Sequence, residues 1–244
     1  MTRAAQAAPA GAADATDAFD WSAIAASLDD RGHAVLRGLA TPAPCAALAA
    51  LYEQETLFRS RVVMARHGFG QGEYQYFAYP LPPLIESLRQ AIYPRLAPVA
   101  NRWNAQLGLD GRYPGTLDAF LRRCHAAGQR RPTPLLLTYG EGDYNCLHQD
   151  LYGEHVFPLQ LTLLLSTPNE EFSGGEFVMT ETAADRQRAE VVPLSLGDAV
   201  VFAVHRRPVP RRRSGFRTVA MRHGVSRVQA GRRRTLGIIF HDAR

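Results

Sequence analysis

The stretch YNCLHQDLYGEH, residues 144–155, sets His148, Asp150 and His155 where a run of strand character gives way to a glycine-bearing loop. Side chains of a strand alternate between its faces, so His148 and Asp150, at i and i+2, share one face while Gln149 takes the other. An imidazole and a carboxylate placed in this way can converge on a metal ion once a distant segment supplies a further ligand. A histidine-x-aspartate pair is a short pattern, and the chain around it decides its meaning.

That chain has two grammars. Past Pro134, short β-rich runs separated by Gly, Pro and Asn recur as LLLTY, FPLQLTLLLS, GEFVMT, AEVVPL, DAVVFAV, TVAMRHGV and TLGIIFH. Their spacing predicts a jelly roll or barrel over 134–244. Before it, helical periods dominate. WSAIAASLDDRG ends at Gly32 and passes into an alternating strand, HAVLRGL; Thr41-Pro42 opens a second helix expected to continue through CAALAALYEQETLF; further helices are expected over 84–103 and 116–127. The expectation is one mainly β domain with α over 19–244, its helical part (19–133) packed outside a jelly-roll core. Residues 1–18, rich in Ala, Gly and Asp, read as a disordered leader. The segment FGQGEYQYFAYPLPP, 69–83, reads as an aromatic loop with neither period, either a lid or binding loop or a segment packed onto the core.

Composition narrows the setting. No window of the 244 residues approaches the roughly 18 unbroken apolar residues of a membrane span, and the first residues lack a secretory h-region, so a cytoplasmic protein without a membrane partner is expected. Cys45, Cys124 and Cys146 are odd in number, far apart and outside any CxxC pattern, which argues against a disulfide framework or structural zinc and for reduced thiols. The net charge is +5 and every basic residue is arginine. From Ala199 to His241 there is no acid, while eleven arginines fall between Arg206 and Arg234. A one-sign stretch of this kind suits a polyanion such as single-stranded or damaged nucleic acid; a solvated surface neutralised by acids from elsewhere is the alternative.

The second histidine comes from HGVSRVQAGRRRTLGIIF, 223–240, which reads as the end of one strand, a turn around Gly231 and a final strand. Paired as a hairpin, these strands would turn His223 into the barrel with Arg233 opposite or one layer deeper, and Thr235 on the face of Arg233. A buried guanidinium needs an anion, and a carboxylate matches its fork. His205 is a rival ligand without the glycine and arginine that follow His223. In a regular strand Cys146 would share the face of His148. His155 reads as structural or near the pocket mouth, and His241 with Asp242 as a cap of the last strand.

With His148-x-Asp150, the distal His223 and the HxVxxVxxGxRxxL run that sets Arg233 ten residues after it, the chain resembles the 2-oxoglutarate- and Fe(II)-dependent dioxygenases over about 134–241. Gly174-Gly175-Glu176 resembles the GGE that opens a jelly-roll strand there. The resemblance implies a double-stranded β-helix, Fe(II) on His148, Asp150 and His223, the far carboxylate of 2-oxoglutarate on Arg233 with Thr235 assisting, and O2 as co-substrate. TYGEGDYNCLHQD is similar to the segment before the metal motif of the alkylation-repair members, which implies that Tyr139 contacts 2-oxoglutarate. Leu137 stands where those enzymes have asparagine, and their RxNxTxR signature is replaced by Arg233 followed by RTLGIIF. The whole chain looks similar to a bacterial group of such oxygenases presumed to modify damaged nucleic acid. The implied reaction is hydroxylation or oxidative demethylation of a modified base, with Tyr74, Tyr76, Phe77 and Arg222 as substrate contacts. A protein (prolyl-type) or small-metabolite hydroxylase is the alternative, and a cupin-like metal-binding domain without redox chemistry a further one.

Overall fold

The computed structural model describes residues 16–183 and 186–244. Residues 1–15 of the expected leader lie outside the described residues; of the remainder, the Thr16 carbonyl accepts the Trp21 indole N–H at 2.8 Å and Asp17 pairs with Arg95.

Four α-helices have both ends among the described residues, all in the first half. Helix α1 (Trp21–Arg31) starts at Asp20, whose carboxylate accepts the backbone N–H of Ser22 and Ala23, and stops at Gly32, where φ of 79° is open to glycine at little cost. Helix α2 (Pro42–Ala50) is shorter than expected: Gln54, at φ −97° and ψ 78°, leaves helical space, and two 3-10 turns carry the chain into a strand. Helices α3 (Pro83–Gln106) and α4 (Leu117–Ala126) complete the set. None of the described helices is long and apolar enough to cross a membrane.

The strands, numbered in chain order, form two antiparallel sheets of a jelly roll. The larger runs β1 (His33–Leu36), β11 (Ala199–Ala203), β7 (Leu159–Leu164), β15 (Arg233–Ile238), β5 (Leu135–Tyr139), β4 (Glu73–Phe77), β2 (Phe58–Val63). The smaller runs β10 (Arg186–Val192), β9 (Phe177–Ala183), β13 (Phe216–Val225), β6 (Tyr144–His148), β3 (Gly70–Gln71), with β12 (Arg206–Pro210) paired to the first half of β13. A short pair, β14 (Val228–Gly231) on β8 (Phe172–Gly174), bridges them. The inner faces meet: Phe177 of the smaller sheet lies 5.0 Å from Phe202 of the larger, ring to ring. The outer face of the larger sheet carries α3, whose Ile85, Leu88, Ile92 and Leu96 are buried in the same core.

Three expectations are corrected here. The strands on either side of Gly231 make no hairpin with each other; β13 and β15 lie in opposite sheets, so His223 and Arg233 approach the cavity from two sides. Gly231 marks the crossing, because at φ 78° a Cβ there would sit 2.1 Å from the Glu171 carbonyl oxygen. The segment 69–83 is not a loop throughout: EYQYF is strand β4, between β2 and β5, with period-two alternation. Asp242 does not cap the last strand. Fully buried, it pairs with Arg89 of α3 at 2.8 Å and accepts from the Tyr79 hydroxyl at 2.9 Å, tying the end of the chain to α3.

Candidate metal centre

His148 ends β6 and stands directly opposite His223 of β13 in the ladder. Asp150, two residues beyond the strand, sits between them: Oδ1 is 3.4 Å from His148 Nε2 and Oδ2 is 3.4 Å from His223 Nε2. All three donor atoms lie within 4.8 Å of one another, which is the spacing a single metal ion can bridge. The tautomer of His148 follows from its neighbour, since Nδ1 is 2.8 Å from the Cys146 carbonyl and must donate to it, leaving the Nε2 lone pair for a metal. His223 is packed against Phe202 and Phe177, with ring centroids at 4.5 and 5.9 Å, and its Nδ1 is buried without a partner among the described residues. Burial, then the neighbouring His148, pushes His223 below its usual range, so it is neutral at pH 7, as a ligand must be. Burial alone would raise Asp150, but hydrogen bonds and charge from His148 and His223 outweigh it and hold the carboxyl well below its usual value. The Tyr152 hydroxyl donates to Asp150 Oδ1 at 2.7 Å; burial, then the Asp150 charge, drives that phenol far up, so it remains a donor.

A β-bulge places these groups. The register of β6 on β13 slips between His223 and Val225, so that Gly224 alone faces the two residues Cys146 and Leu147. Asn145 and His148, three apart, therefore both reach the cavity, while Cys146 and Leu147 are exposed. This corrects the expectation that Cys146 lies beside the site. Gly224 makes room for the bulge, because a Cβ there would come within 2.7 Å of the Asn145 oxygen and 3.2 Å of the Cys146 oxygen. Gly224→Ala is therefore expected to push β6 away and move His148, weakening Fe(II) affinity about 10- to 100-fold, the range found when support for a metal ligand is lost. A metal titration of the folded variant checks this; wild-type affinity would show that the bulge does not place His148.

One cavity of about 190 Å³ contains the triad and, on its β15 wall, Arg233 and Thr235. Arg233 is 2% exposed, and its Nε and Nη1 have no hydrogen-bond partner among the described residues. Burial pushes its pKa down to about 10, so it is still charged at neutral pH. Tyr139 stands opposite it in the ladder, with Cζ of Arg233 5.6 Å from the ring, and accepts from Asn145 Nδ2 at 3.3 Å. Gly175 lets the chain close over this guanidinium: at φ 65°, its Cβ would lie 2.9 Å from Arg233 Cδ.

The predicted residues separate clearly. His148, Asp150, His223, Arg233, Thr235, Tyr139, Tyr74 and Tyr76 line the one cavity. Phe77 does not: it is fully buried on the other face of β4, 4.6 Å from Phe58. Arg222 does not either, since its place between Met221 and His223 turns it onto the exposed outer face of β13. His205 lies outside the triad, and His155 contributes its backbone N–H to Gln129. Phe69, from the aromatic segment 69–83, lines the cavity too, while sequence reasoning missed Tyr152, Asn145 and Gln160, all in the cavity wall. The spacing of Tyr152 from Asp150 was a usable signal for one of them, since both follow the same strand end.

Comparison with known proteins gives the site its context. The sequence profile of a family named Oxygenase-NA, described as "Oxygenase, catalysing oxidative methylation of damaged DNA", matches residues 72–243. An uncharacterized protein of Mycobacterium tuberculosis, Rv2227, is 47% identical over 168 residues, covering 68% of this chain and 72% of its own. Among solved structures, a Pseudomonas putida prolyl-4-hydroxylase superposes with a TM-score of 0.55 at 14% identity, over 92% of this chain and 99% of that one. A 2OG-Fe(II) oxygenase-family oxidoreductase from Burkholderia pseudomallei gives 0.54 at 16% identity, over 93% of each chain. The match across more than half the chain, on the fold these structures share, makes the protein a member of the Oxygenase-NA family of oxygenases.

Proposed function

We propose that His148, Asp150 and His223 hold Fe(II), that Arg233 with Thr235 beside it takes the far carboxylate of 2-oxoglutarate, and that the substrate is a modified base of damaged DNA. The observation that carries this reading is the guanidinium of Arg233, buried and unpartnered in the cavity that holds the triad. A buried cation without an anion is costly, and a dicarboxylic keto acid anchored at the metal supplies that anion. A cupin-like binding domain without redox chemistry would leave it unexplained. Two imidazoles and one carboxylate on one side of the cavity suit the facial triad of non-haem Fe(II) oxygenases. When bound, Fe(II) and 2-oxoglutarate activate O2, yielding succinate and CO2 and placing one oxygen atom into a substrate C–H bond; an N-methyl group so hydroxylated is released as formaldehyde.

The chain's own residues do the rest. Asp150 supplies the negative charge facing the metal, Tyr152 orients it, and Phe177 and Phe202 keep water from His223. Tyr74, Tyr76 and Tyr152 form an aromatic wall, with centroids 5.3 and 6.4 Å apart in sequence, and the Arg59 guanidinium lies 4.4 Å from the Tyr76 centroid. Flat rings of this kind suit a base taken out of its stack. We also place the enzyme in the cytoplasm, where its three free cysteines would stay reduced.

Succinate release tests the substrate. An N-methylated single-stranded oligonucleotide should stimulate it above the uncoupled rate, while the unmethylated oligonucleotide and a proline-containing peptide should not. Stimulation by the peptide alone would overturn the nucleic-acid reading and leave the oxygenase chemistry standing.

A further inference from the structure

The acid-free stretch divides into arginines with partners and arginines without. Arg207 is buried and pairs with Glu181, while also donating to the Asp29 carbonyl at 2.7 Å. Arg234 pairs with Glu53 at 3.5 Å, Arg227 lies 5.5 Å from the Tyr144 ring, and Arg233 faces the cavity. Arg206, Arg211, Arg212, Arg213, Arg217, Arg222 and Arg232 are exposed, and among the described residues none of them has an ion-pair partner. Elsewhere on the surface, Arg37 pairs with Asp198, Arg61 with Glu73, Arg95 with Asp17 and Arg102 with Asp29, while exposed arginines without an ion pair, such as Arg66, Arg122 and Arg130, are scattered along the chain and not gathered on one hairpin.

Six of the seven unpaired arginines in the acid-free stretch, all but Arg232, belong to β12, β13 or the turn joining them. The ladder runs from Arg206 opposite Ala220 to Pro210 opposite Phe216, and the Arg211 N–H closes the turn on the Gly215 carbonyl at 2.9 Å. Five residues at about 3.3 Å each make an arm roughly 17 Å long, the rise of about five nucleotides in a duplex strand. Its root is tied to the metal loop: Gln149, between two members of the triad, donates to the carbonyls of His205 and Met221 at 3.0 and 2.8 Å. The arm therefore starts one side chain from the cavity and extends away with positive charge at its base and tip.

We infer that the β12–β13 arm is a phosphate-backbone binding surface that holds the nucleic acid flanking the base in the cavity. This rests on the nucleic-acid reading given above. Unpaired guanidiniums in a row without carboxylates repel one another until a polyanion neutralises them. A peptide added as an extra strand fits poorly, because β12 is an edge strand with two of its five residues, Pro208 and Pro210, lacking an N–H. Phosphate needs no ladder, only donors on flexible stems.

The test replaces the three turn residues together, Arg211→Ala, Arg212→Ala and Arg213→Ala, which touch neither the triad nor Arg233. Binding of a fluorescein-labelled single-stranded oligonucleotide is followed by anisotropy between 50 and 200 mM salt. Wild type should lose affinity steeply with salt; the variant should bind at least about tenfold more weakly at 50 mM and show a log–log slope shallower by about 2, at about 0.7 per lost phosphate contact. Its uncoupled succinate release without nucleic acid should equal wild type. Equal affinity and slope in the two proteins would overturn the inference, as would binding of a polyglutamate peptide through the arm with none of the oligonucleotide. The two readings separate cleanly. Methylated-oligonucleotide stimulation with an indifferent arm removes only the arm; arm-dependent binding without stimulation removes only the substrate.

Discussion

Asp150→Ala is expected to abolish the weak visible band that the protein should develop when Fe(II) and 2-oxoglutarate are mixed without oxygen, and to bring succinate release to background. Asp150 is the only anion of the triad and the one residue that faces both imidazoles, at 3.4 Å on each side. Losing a second-layer partner of a metal ligand costs about 10- to 100-fold in affinity, so losing the charged ligand itself should exceed that range. The variant should still fold, since the two rings keep their places through backbone pairing and through Phe177 and Phe202. Its stability should lose a pH-dependent part. A carboxyl held below its usual value stabilises the fold above its unfolded-state pKa of about 3.8, and that contribution fades as pH falls through the folded value. Wild type should therefore lose more stability on acidification than the variant. A persistent band in Asp150→Ala would remove the carboxylate from the iron site.

Much of this was visible in the residues themselves. The strands after Pro134 are short apolar runs bounded by Gly, Pro and Asn, several of them, such as Ala199–Ala203, buried on both faces, and that local signal survives without knowledge of partners. His148, Asp150, His223 and Arg233 stand out for a similar reason: polar groups in otherwise apolar runs need a ligand or a partner. What was hidden is long-range. Whether β13 pairs with β15 depends on which sheet each joins, and the crossing at Gly231 is set by contact with Glu171, sixty residues earlier in the chain and outside both strands. The bulge opposite Gly224 breaks period two by one residue, so a strict alternation put Cys146 in the cavity and left Asn145 out. Phe77 was grouped with Tyr74 and Tyr76 because the segment was read as a loop; as a strand, its alternation sends Phe77 to the opposite face. The charge of the 206–234 stretch was plain, but only the fold separates Arg207, neutralised by Glu181, from the open arginines of the arm.

Arg233→Met should raise the 2-oxoglutarate requirement far more than the Fe(II) requirement, and should at the same time make the ligand-free protein more stable. Truncating one member of a buried, hydrogen-bonded charge pair costs about 2–5 kcal/mol, which corresponds to roughly 30- to 5,000-fold in the concentration of 2-oxoglutarate needed. Fe(II) binding measured without the keto acid should change by no more than a few-fold, because Arg233 belongs to β15 and the three candidate ligands do not. The stability effect has the opposite sign. In the absence of an anion, Nε and Nη1 of Arg233 are desolvated for nothing, and replacing buried charge with a side chain of similar volume can stabilise by about 1–4 kcal/mol. Burial lowers the folded-state pKa to about 10 from the ordinary 12.5, so the folded state disfavours the charged form. The penalty is complete below about 10 and relieved only as pH rises from there toward 12.5, where the unfolded chain still holds its proton. At pH 7–8 the variant should thus show its full gain, several degrees in Tm for a chain of this size. Saturating 2-oxoglutarate with Fe(II) should raise the Tm of wild type and leave that of the variant nearly where iron alone puts it, since a ligand stabilises only in proportion to its occupancy. A site kept for a carboxylate must trade stability for affinity in this way; equal shifts in the two requirements, or a variant less stable than wild type without ligand, would mean that Arg233 serves the fold and not the keto acid.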